Sequence, residues 1–235
     1  MQHAAFVAGA TGYTGSAVVQ LLRQRDIPTV AHVRPDSARL DVWTERFAAH
    51  GATIDRTPWT APAMTARMSV LKPTLVFALL GTTRARARAA ARDGINADYH
   101  VVDYGLTAML IDAVRESAPD ARFIYLSSLG ARAGVSNTYL AVRARIEREL
   151  ERSGLDYVII RPSFITGPDR EEQRRTERAS AAVLDTLLRI AGAVGAGRLA
   201  RRYGSMTATE LAGALVDRAL DPAAAGRSFE PDDLR

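Results

Sequence analysis

The chain has 235 residues, of which 47% are hydrophobic and 24% are charged, as in an ordinary globular protein. It contains no cysteine, which excludes disulfides, thiol chemistry and cysteine-ligated metals, and its four histidines lack the spacing of metal ligands. The net charge of +5 does not predict nucleic-acid binding, because the arginine clusters are not interleaved with aromatic residues, which make up only 6% of the chain.

The length and the hydropathy pattern set further limits. We expect a single domain over residues 1–235, because α/β folds of this length are routinely single domains. The sequence begins with a predicted strand rather than a signal-peptide pattern, and it has no apolar stretch long enough for a transmembrane helix. We therefore expect a cytoplasmic monomer or homodimer with no membrane partner, no nucleic-acid partner and no metal site.

Apolar runs alternate with helical patterns along most of the chain. The predicted strands lie at 4–8, 29–33, 52–54, 74–79, 122–127 and 156–160, with a short one near 228–230. The predicted helices lie at 16–25, 37–49, 84–92, 95–117, 137–153, 179–191 and 207–220, the last with a capping residue at its start. This alternation predicts an α/β fold with a doubly wound, Rossmann-like parallel sheet. The alternation stops after Pro162, and the segment within about 164–205 is predicted to form a small C-terminal substrate cap.

Three glycines follow the first predicted strand in the spacing G-x-x-G-x-x-G. Between a strand and a helix, Gly9 allows a tight turn, Gly12 allows the backbone to touch a pyrophosphate, and Gly15 allows close packing of the helix on the strand. The pyrophosphate would then bind at the positive end of the helix. The predicted pyrophosphate site comprises Gly9, Thr11, Gly12, Tyr13, Thr14 and Gly15.

Charged residues follow or end the second and third predicted strands. Arg34 lies where a Rossmann fold meets the adenosine ribose, and an arginine there accommodates a 2′-phosphate, whereas an acidic residue would bind the 2′-hydroxyl. This residue favours NADP(H) over NAD(H), with an exposed loop arginine as the alternative interpretation. Asp55 either binds the adenine amino group or is an ordinary turn residue.

A tyrosine and a cation follow the fifth predicted strand. Tyr139 and Arg143 are four residues apart and therefore share one face of a predicted helix, and the strand itself leads into Ser127 and Ser128. A serine can orient a carbonyl group, the phenol can exchange a proton with it, and the cation can stabilise the phenolate. The alternative is a surface tyrosine ring that packs on an arginine.

Together these motifs resemble the short-chain dehydrogenase/reductase superfamily, and more narrowly its atypical NAD(P)H-binding branch of NmrA-like and Tat-interacting-protein-like proteins. The resemblance covers most of the chain. It rests on the glycine turn at 9–15, the fourth strand and its loop at 76–84, the Y-L-S-S-x-G-A segment at 125–131, Tyr139, and the R-P-S turn at 161–163.

The resemblance implies a role for each matching residue. The Ser-Tyr-Lys catalytic set of the superfamily maps to Ser128, Tyr139 and Arg143, with Ser127 as the alternative serine. Beyond the glycine turn, the cofactor-binding residues implied are Leu80, Gly81, Thr82, Ser127, Tyr139, Arg143, Pro162 and Ser163. The first three would flank the adenosine and the last two the nicotinamide. Arg143 departs from the family lysine: it keeps the charge, but its geometry differs and it cannot give up a proton.

The function that this resemblance implies is that of an NADP(H)-dependent oxidoreductase, a reductase that acts on a small carbonyl or enone compound. In that hypothesis Tyr139 is the general acid, Ser128 aligns the carbonyl group of the substrate, and Arg143 stabilises the phenolate of Tyr139. The alternative is an NADPH-binding sensor, regulatory or assembly protein without turnover, because the same branch contains members of that kind.

Overall fold

A computed structural model describes residues 3–81, 103–163, 165 and 204–234. Its strands are β1 (Ala5–Ala8), β2 (Thr29–His32), β3 (Thr53–Asp55), β4 (Leu75–Ala78), β5 (Arg122–Leu126), β6 (Tyr157–Ile160) and β7 (Arg227–Phe229). They form one seven-stranded sheet in the order β3-β2-β1-β4-β5-β6-β7, and every neighbouring pair is parallel. The strand order reverses between β1 and β4, and open α/β sheets bind ligands at the carboxyl edge beside such a point.

Helices cover both faces of this sheet. They are α1 (Tyr13–Gln24), α2 (Leu40–Ala49), α3 (Ala61–Leu71), α4 (Leu106–Ser117), α5 (Thr138–Arg152) and α6 (Ala208–Leu220). The apolar sides of α1, α2 and α6 join one hydrophobic cluster, and those of α3, α4 and α5 join another. The sheet is therefore doubly wound, and the predicted fold class is confirmed.

The central strands are buried on both faces. All four residues of β1 and all four of β4 are buried, as expected of parallel strands between two helix layers. Side chains alternate between the faces, because Val7 and its partner Phe77 belong to one cluster while Phe6 and its partner Val76 belong to the other. This continuous burial explains why these strands have nearly uninterrupted apolar sequences.

Each of the seven predicted strands is present, and each of its ends lies within one residue of the predicted position. Helix α3, in contrast, is not predicted by the sequence patterns. It begins shortly after Pro58, has Pro62 in its first turn, and buries only Met64 and Met68, while Val70 is 75% exposed. Its apolar residues therefore do not form the regular stripe by which a helix is detected.

The structure describes part of the predicted connection between β4 and β5. Helix α4 begins at Leu106, directly after a π-helical turn over residues 103–105, within the predicted helix at 95–117, of which residues 95–102 lie outside the described residues. The predicted helices at 84–92 and 179–191 lie outside the described residues, as does the predicted cap except for residues 165, 204 and 205. Within the described ranges, no helix is both long enough and apolar enough to cross a bilayer.

The prediction that the last helix, α6, begins with a capping residue is confirmed, and the role of this residue can be tested by mutation. The Glu210 N–H donates to Thr207 Oγ1 at 3.2 Å, and the Thr207 N–H donates to Glu210 Oε2 at 2.8 Å. We expect Thr207→Ala to lower the free energy of unfolding by about 1 kcal/mol, measured by urea denaturation, because an amide at the helix start loses its partner. Thr60→Ala is the matched control, since Thr60 precedes α3 without a side-chain capping bond. Equal losses in the two variants would contradict this role for Thr207.

Candidate functional site

The glycine turn joins β1 to α1 over residues 9–12. Gly9 has a φ of +81°, and a Cβ at this position would lie 2.5 Å from the carbonyl oxygen of Leu79. A side chain is therefore excluded, and the turn packs directly on the backbone that follows β4. The tight turn predicted at Gly9 is confirmed.

The other two glycines differ in what the fold requires of them. A Cβ at Gly15 would lie 2.1 Å from the carbonyl oxygen of Gly9, so α1 approaches the turn too closely for any side chain, and the predicted close packing is confirmed. Gly12 is exposed and has ordinary extended dihedrals, φ −74° and ψ 163°. Among the described residues, its Cβ would meet the Gly9 carbonyl oxygen at 3.2 Å, a tight contact that a shift of a few tenths of an ångström relieves. The fold therefore constrains position 12 much less than positions 9 and 15, which is consistent with a requirement set by a ligand.

The start of α1 suits an anionic ligand. Its N-cap residue is Gly12, which offers no side chain to the first amides of the helix, and the first turn contains no acidic residue. The helix dipole places a partial positive charge there, beside the reversal of strand order between β1 and β4. A pyrophosphate fits these groups, and Thr11, Tyr13 and Thr14 lie in the same turn of the chain.

The residues predicted for the adenosine side have different surroundings. Arg34 is exposed over 62% of its side chain and lies 3.6 Å from Asp36. Because so exposed an ion pair contributes little to stability, the guanidinium can turn to another anion at low cost. Asp55 is buried, accepts a hydrogen bond from the Thr57 N–H at 3.0 Å and pairs with Arg67. Protein groups therefore already bind this carboxylate, and its contact with adenine stays a prediction.

Arg143 lies buried at the carboxyl edge of the sheet. Its Nη1 donates to Tyr125 Oη at 3.1 Å and to the Leu126 carbonyl oxygen at 2.9 Å. Its Nη2 donates to the Leu80 carbonyl oxygen at 3.2 Å and to Asp103 Oδ1 at 2.6 Å. All four N–H groups on the two terminal nitrogens, Nη1 and Nη2, thus donate hydrogen bonds to acceptors within the protein. Burial alone would lower the pKa of Arg143, but Tyr125, Tyr139 and Asp103 together raise it above its ordinary value, so the side chain is charged.

The ring of Tyr139 lies over the same guanidinium. The Arg143 Cζ is 5.0 Å from the centre of the Tyr139 ring, so the shared helix face is confirmed. The contact is made through the aromatic ring, as in the alternative interpretation of this pair. The Arg143 Cζ also lies 5.7 Å from the centre of the Tyr125 ring, and burial raises the pKa of Tyr125, which keeps its phenol neutral. The structure therefore brings Tyr139 and Arg143 together and gives Arg143 further partners.

The two serines after β5 are not equivalent. The Ser127 N–H donates to the Ile160 carbonyl oxygen at 2.7 Å, and the Ser127 side chain is only 4% exposed. Its Oγ has no hydrogen-bond partner among the described residues. Ser128 is half-buried, and its Oγ lies 3.5 Å from the Leu129 carbonyl oxygen. Ser128 is therefore the more accessible of the two serines, whereas the Ser127 hydroxyl is enclosed by the protein.

The loops after β4 and β6 hold the remaining predicted residues. A Cβ at Gly81 would lie 2.9 Å from Nη2 of Arg143, so the glycine leaves room for the guanidinium. The Pro162 carbonyl oxygen accepts a hydrogen bond from the Leu129 N–H at 2.9 Å, and Ser163 Oγ donates to the Gly204 carbonyl oxygen at 2.5 Å. The loop after β5 thus lies beside the turn after β6. Thr82 lies outside the described residues.

Two buried acids at this edge are missed by the sequence analysis. Asp103 is fully buried beside Arg143, 40 residues away in sequence. Glu147 is 3% exposed and accepts hydrogen bonds from Arg161 at 2.9 and 2.8 Å, one at each carboxylate oxygen. An acid on the apolar face of an amphipathic helix is a signal that could have indicated Glu147, whereas Asp103 has no local signal.

Comparisons with known proteins agree with this geometry. The family model described as NAD(P)H-binding matches residues 9–186. A curated relative, protein fmp52-1, mitochondrial, from Aspergillus oryzae, is 30% identical over 177 residues, which cover 73% of this chain and 69% of that protein. The chain therefore belongs to the NAD(P)H-binding family, in agreement with its resemblance to atypical short-chain dehydrogenases/reductases.

Solved structures share the fold. ChuY, an anaerobillin reductase from Escherichia coli O157:H7, superposes with a TM-score of 0.62 at 18% identity, over 97% of each chain. The Bordetella bronchiseptica enzyme WbmH, solved in complex with NAD+, has a TM-score of 0.62 at 16% identity, over 92% of this chain and 72% of that one. At these identities the likeness concerns the fold alone.

The different constraints on Gly12 and Gly15 give a test of the turn. We expect Gly12→Val to remain folded, because its dihedrals suit valine, and to lose cofactor binding, because the side chain would occupy the space of the pyrophosphate. Titration of NADPH by fluorescence and circular dichroism would measure both properties. Gly213→Val is the matched control, since a Cβ at Gly213 in α6 meets nothing within 4 Å. Wild-type affinity in folded Gly12→Val would exclude this turn as the phosphate site.

Proposed function

We propose that this protein is an NADP(H)-dependent oxidoreductase that reduces a small carbonyl or enone compound. The observation that carries the proposal is the start of α1, where the exposed Gly12 is the N-cap and the first turn contains no acidic residue, at the sheet edge that also holds Tyr139 and Arg143. Such a helix start can bind an anionic group such as the pyrophosphate of the cofactor. The membership in an NAD(P)H-binding family supports the cofactor, and the structural neighbours, which share the fold, include a reductase.

Each residue at this edge of the sheet has its own role in the proposed reduction. When bound, the cofactor supplies the hydride, and its pyrophosphate is held by the amides at the start of α1. Ser128, with Ser127 as the alternative, holds the substrate oxygen by a hydrogen bond. The Tyr139 phenol donates a proton to that oxygen as negative charge develops on it. Arg143, whose charge lies 5.0 Å from the centre of the Tyr139 ring, stabilises the resulting phenolate.

A binding protein without turnover is the second candidate, and one observation favours it. Position 143 holds an arginine in place of the family lysine, and its four terminal N–H groups are all donated within the protein. Only the buried Nε–H lacks a partner among the described residues, so the guanidinium has no terminal donor left for the cofactor ribose. In this alternative, the protein responds to whether NADPH is bound to it and catalyses no reaction.

The proposal extends to location and assembly. We propose a cytoplasmic protein that acts as a monomer or homodimer on a small molecule, without nucleic-acid or membrane partners. The name of the Aspergillus oryzae relative assigns that protein to the mitochondrion. Localisation of a tagged full-length chain and its elution volume in size-exclusion chromatography test these two points.

Arg34 provides the test of cofactor preference. We expect Arg34→Ala to weaken NADP(H) binding roughly ten- to hundredfold, because a charge-assisted contact to the 2′-phosphate is lost, and to leave NAD(H) binding unchanged. Fluorescence titration with both cofactors measures the two dissociation constants. Arg115→Ala is the control, since Arg115 is also exposed and also paired with a nearby aspartate, Asp112. Equal affinity of the wild type for NADP(H) and NAD(H) would refute the preference.

Tyr139 distinguishes the reductase from the binding protein. We expect Tyr139→Phe to lose about 10²–10⁴-fold in turnover while it still binds NADPH, because phenylalanine has no proton to donate. The decrease in NADPH absorbance with a panel of carbonyl and enone compounds measures turnover. Tyr157→Phe, at the amino-terminal start of β6, is the control that keeps activity. If the wild type binds NADPH tightly but oxidises it with no compound in the panel, the binding protein replaces the reductase.

A further inference from the structure

We infer that Arg143 is a positioning residue for the glycine turn, with Asp103 as its counter-charge, and that it acts through the backbone at Leu80. The inference assigns to this pair a role in cofactor affinity in addition to any effect on Tyr139. It rests on the cofactor-binding part of the proposed function and does not require turnover.

The first step is a short path from Arg143 to the turn. Nη2 of Arg143 holds the Leu80 carbonyl oxygen, which belongs to the peptide between Leu80 and Gly81, at 3.2 Å. The preceding peptide, which joins Leu79 to Leu80, lies against Gly9, because a Cβ at Gly9 would be 2.5 Å from the Leu79 oxygen and 3.0 Å from the Leu80 nitrogen. A displacement of Leu80 moves this preceding peptide, and therefore either opens a gap behind Gly9 or pushes the turn outward.

The second step concerns the guanidinium itself. It connects three segments that are distant in sequence, namely the loop after β4 at Leu80, the π-helical turn at Asp103, and β5 at Tyr125 and Leu126. Arg143 is 4% exposed and Asp103 is fully buried, and the two buried charges compensate each other at 2.6 Å. A lysine has three donors on one atom and cannot reproduce four bonds from a planar fork. Arg143→Lys keeps the charge but loses this connection.

A second arginine provides a control with similar bonds at the opposite edge. Arg122, the first residue of β5, donates from Nε to Asp156 at 2.8 Å and from Nη1 to the carbonyl oxygens of Ala219 and Asp221 at 3.0 and 2.7 Å. Like Arg143, it connects one carboxylate and two backbone carbonyls. It lies at the amino-terminal ends of the strands, away from the glycine turn.

The experiment compares Arg143→Lys with Arg122→Lys. We expect both variants to unfold at lower urea concentration, but only Arg143→Lys to bind NADPH more weakly, by about three- to thirtyfold, as is typical for coupling through packed neighbours. Arg122→Lys should bind NADPH within about twofold of the wild type, because distant sites act independently. An equal change in NADPH affinity in the two variants would mean that Arg143 is merely structural, and the inference would be overturned.

Asp103→Asn keeps the experiment decisive if Arg143→Lys does not fold. It preserves the shape of the side chain, removes the counter-charge, and should weaken NADPH binding in the same direction. Folded Asp103→Asn with wild-type affinity for NADPH overturns the inference. Absence of NADPH and NADH binding by the wild type would refute the proposed function instead, so the two failures are distinguishable.

Discussion

The contact between the backbones at Gly9 and Leu79 is the constraint on which the carboxyl edge of this sheet depends. β1 and β4 are adjacent parallel strands, and their ends lie so close together that no side chain fits at Gly9. Helix α1 approaches the same turn equally closely at Gly15. The start of α1 is therefore fixed relative to β4 by backbone contacts, which lack the rotameric freedom of side chains. The proposed phosphate site would therefore be formed before the ligand arrives.

The buried ion pair between Arg143 and Asp103 determines how the loops at the same edge of the sheet are arranged. Replacing a buried ion pair with apolar side chains is often neutral or stabilising, so the Arg143–Asp103 pair is weak evidence for stability. Its geometry offers a better explanation, since one planar group with fixed donors determines where four acceptors from three segments must lie. We interpret the pair as a device that specifies the arrangement of the loops rather than one that strengthens the fold.

The parts of this structure that the sequence predicts are those with local signals. Continuous apolar runs predict β1 and β4, the glycine spacing predicts the turn, and a capping residue at position 207 predicts the start of α6. Helix α3 is missed because its early proline and its two buried methionines leave no regular apolar stripe. The partner of Arg143 is missed because Asp103 is distant in sequence, and the spacing of Tyr139 and Arg143 reveals that they meet but not which other acceptors the guanidinium binds.

A lysine at position 143 would combine two tasks, the stabilisation of a phenolate at Tyr139 and the supply of a proton to it, and Arg143 performs only the first. In the proposed reduction, Tyr139 gives a proton to the substrate and must regain one. Arg143 stabilises the phenolate by its charge but cannot supply that proton, because the guanidinium stays protonated and its terminal N–H groups are already donated. The replacement proton must then come from a hydroxyl such as that of Ser127 or from solvent. In such a site Arg143 still stabilises the Tyr139 phenolate by its charge, but Arg143 does not return the proton to Tyr139.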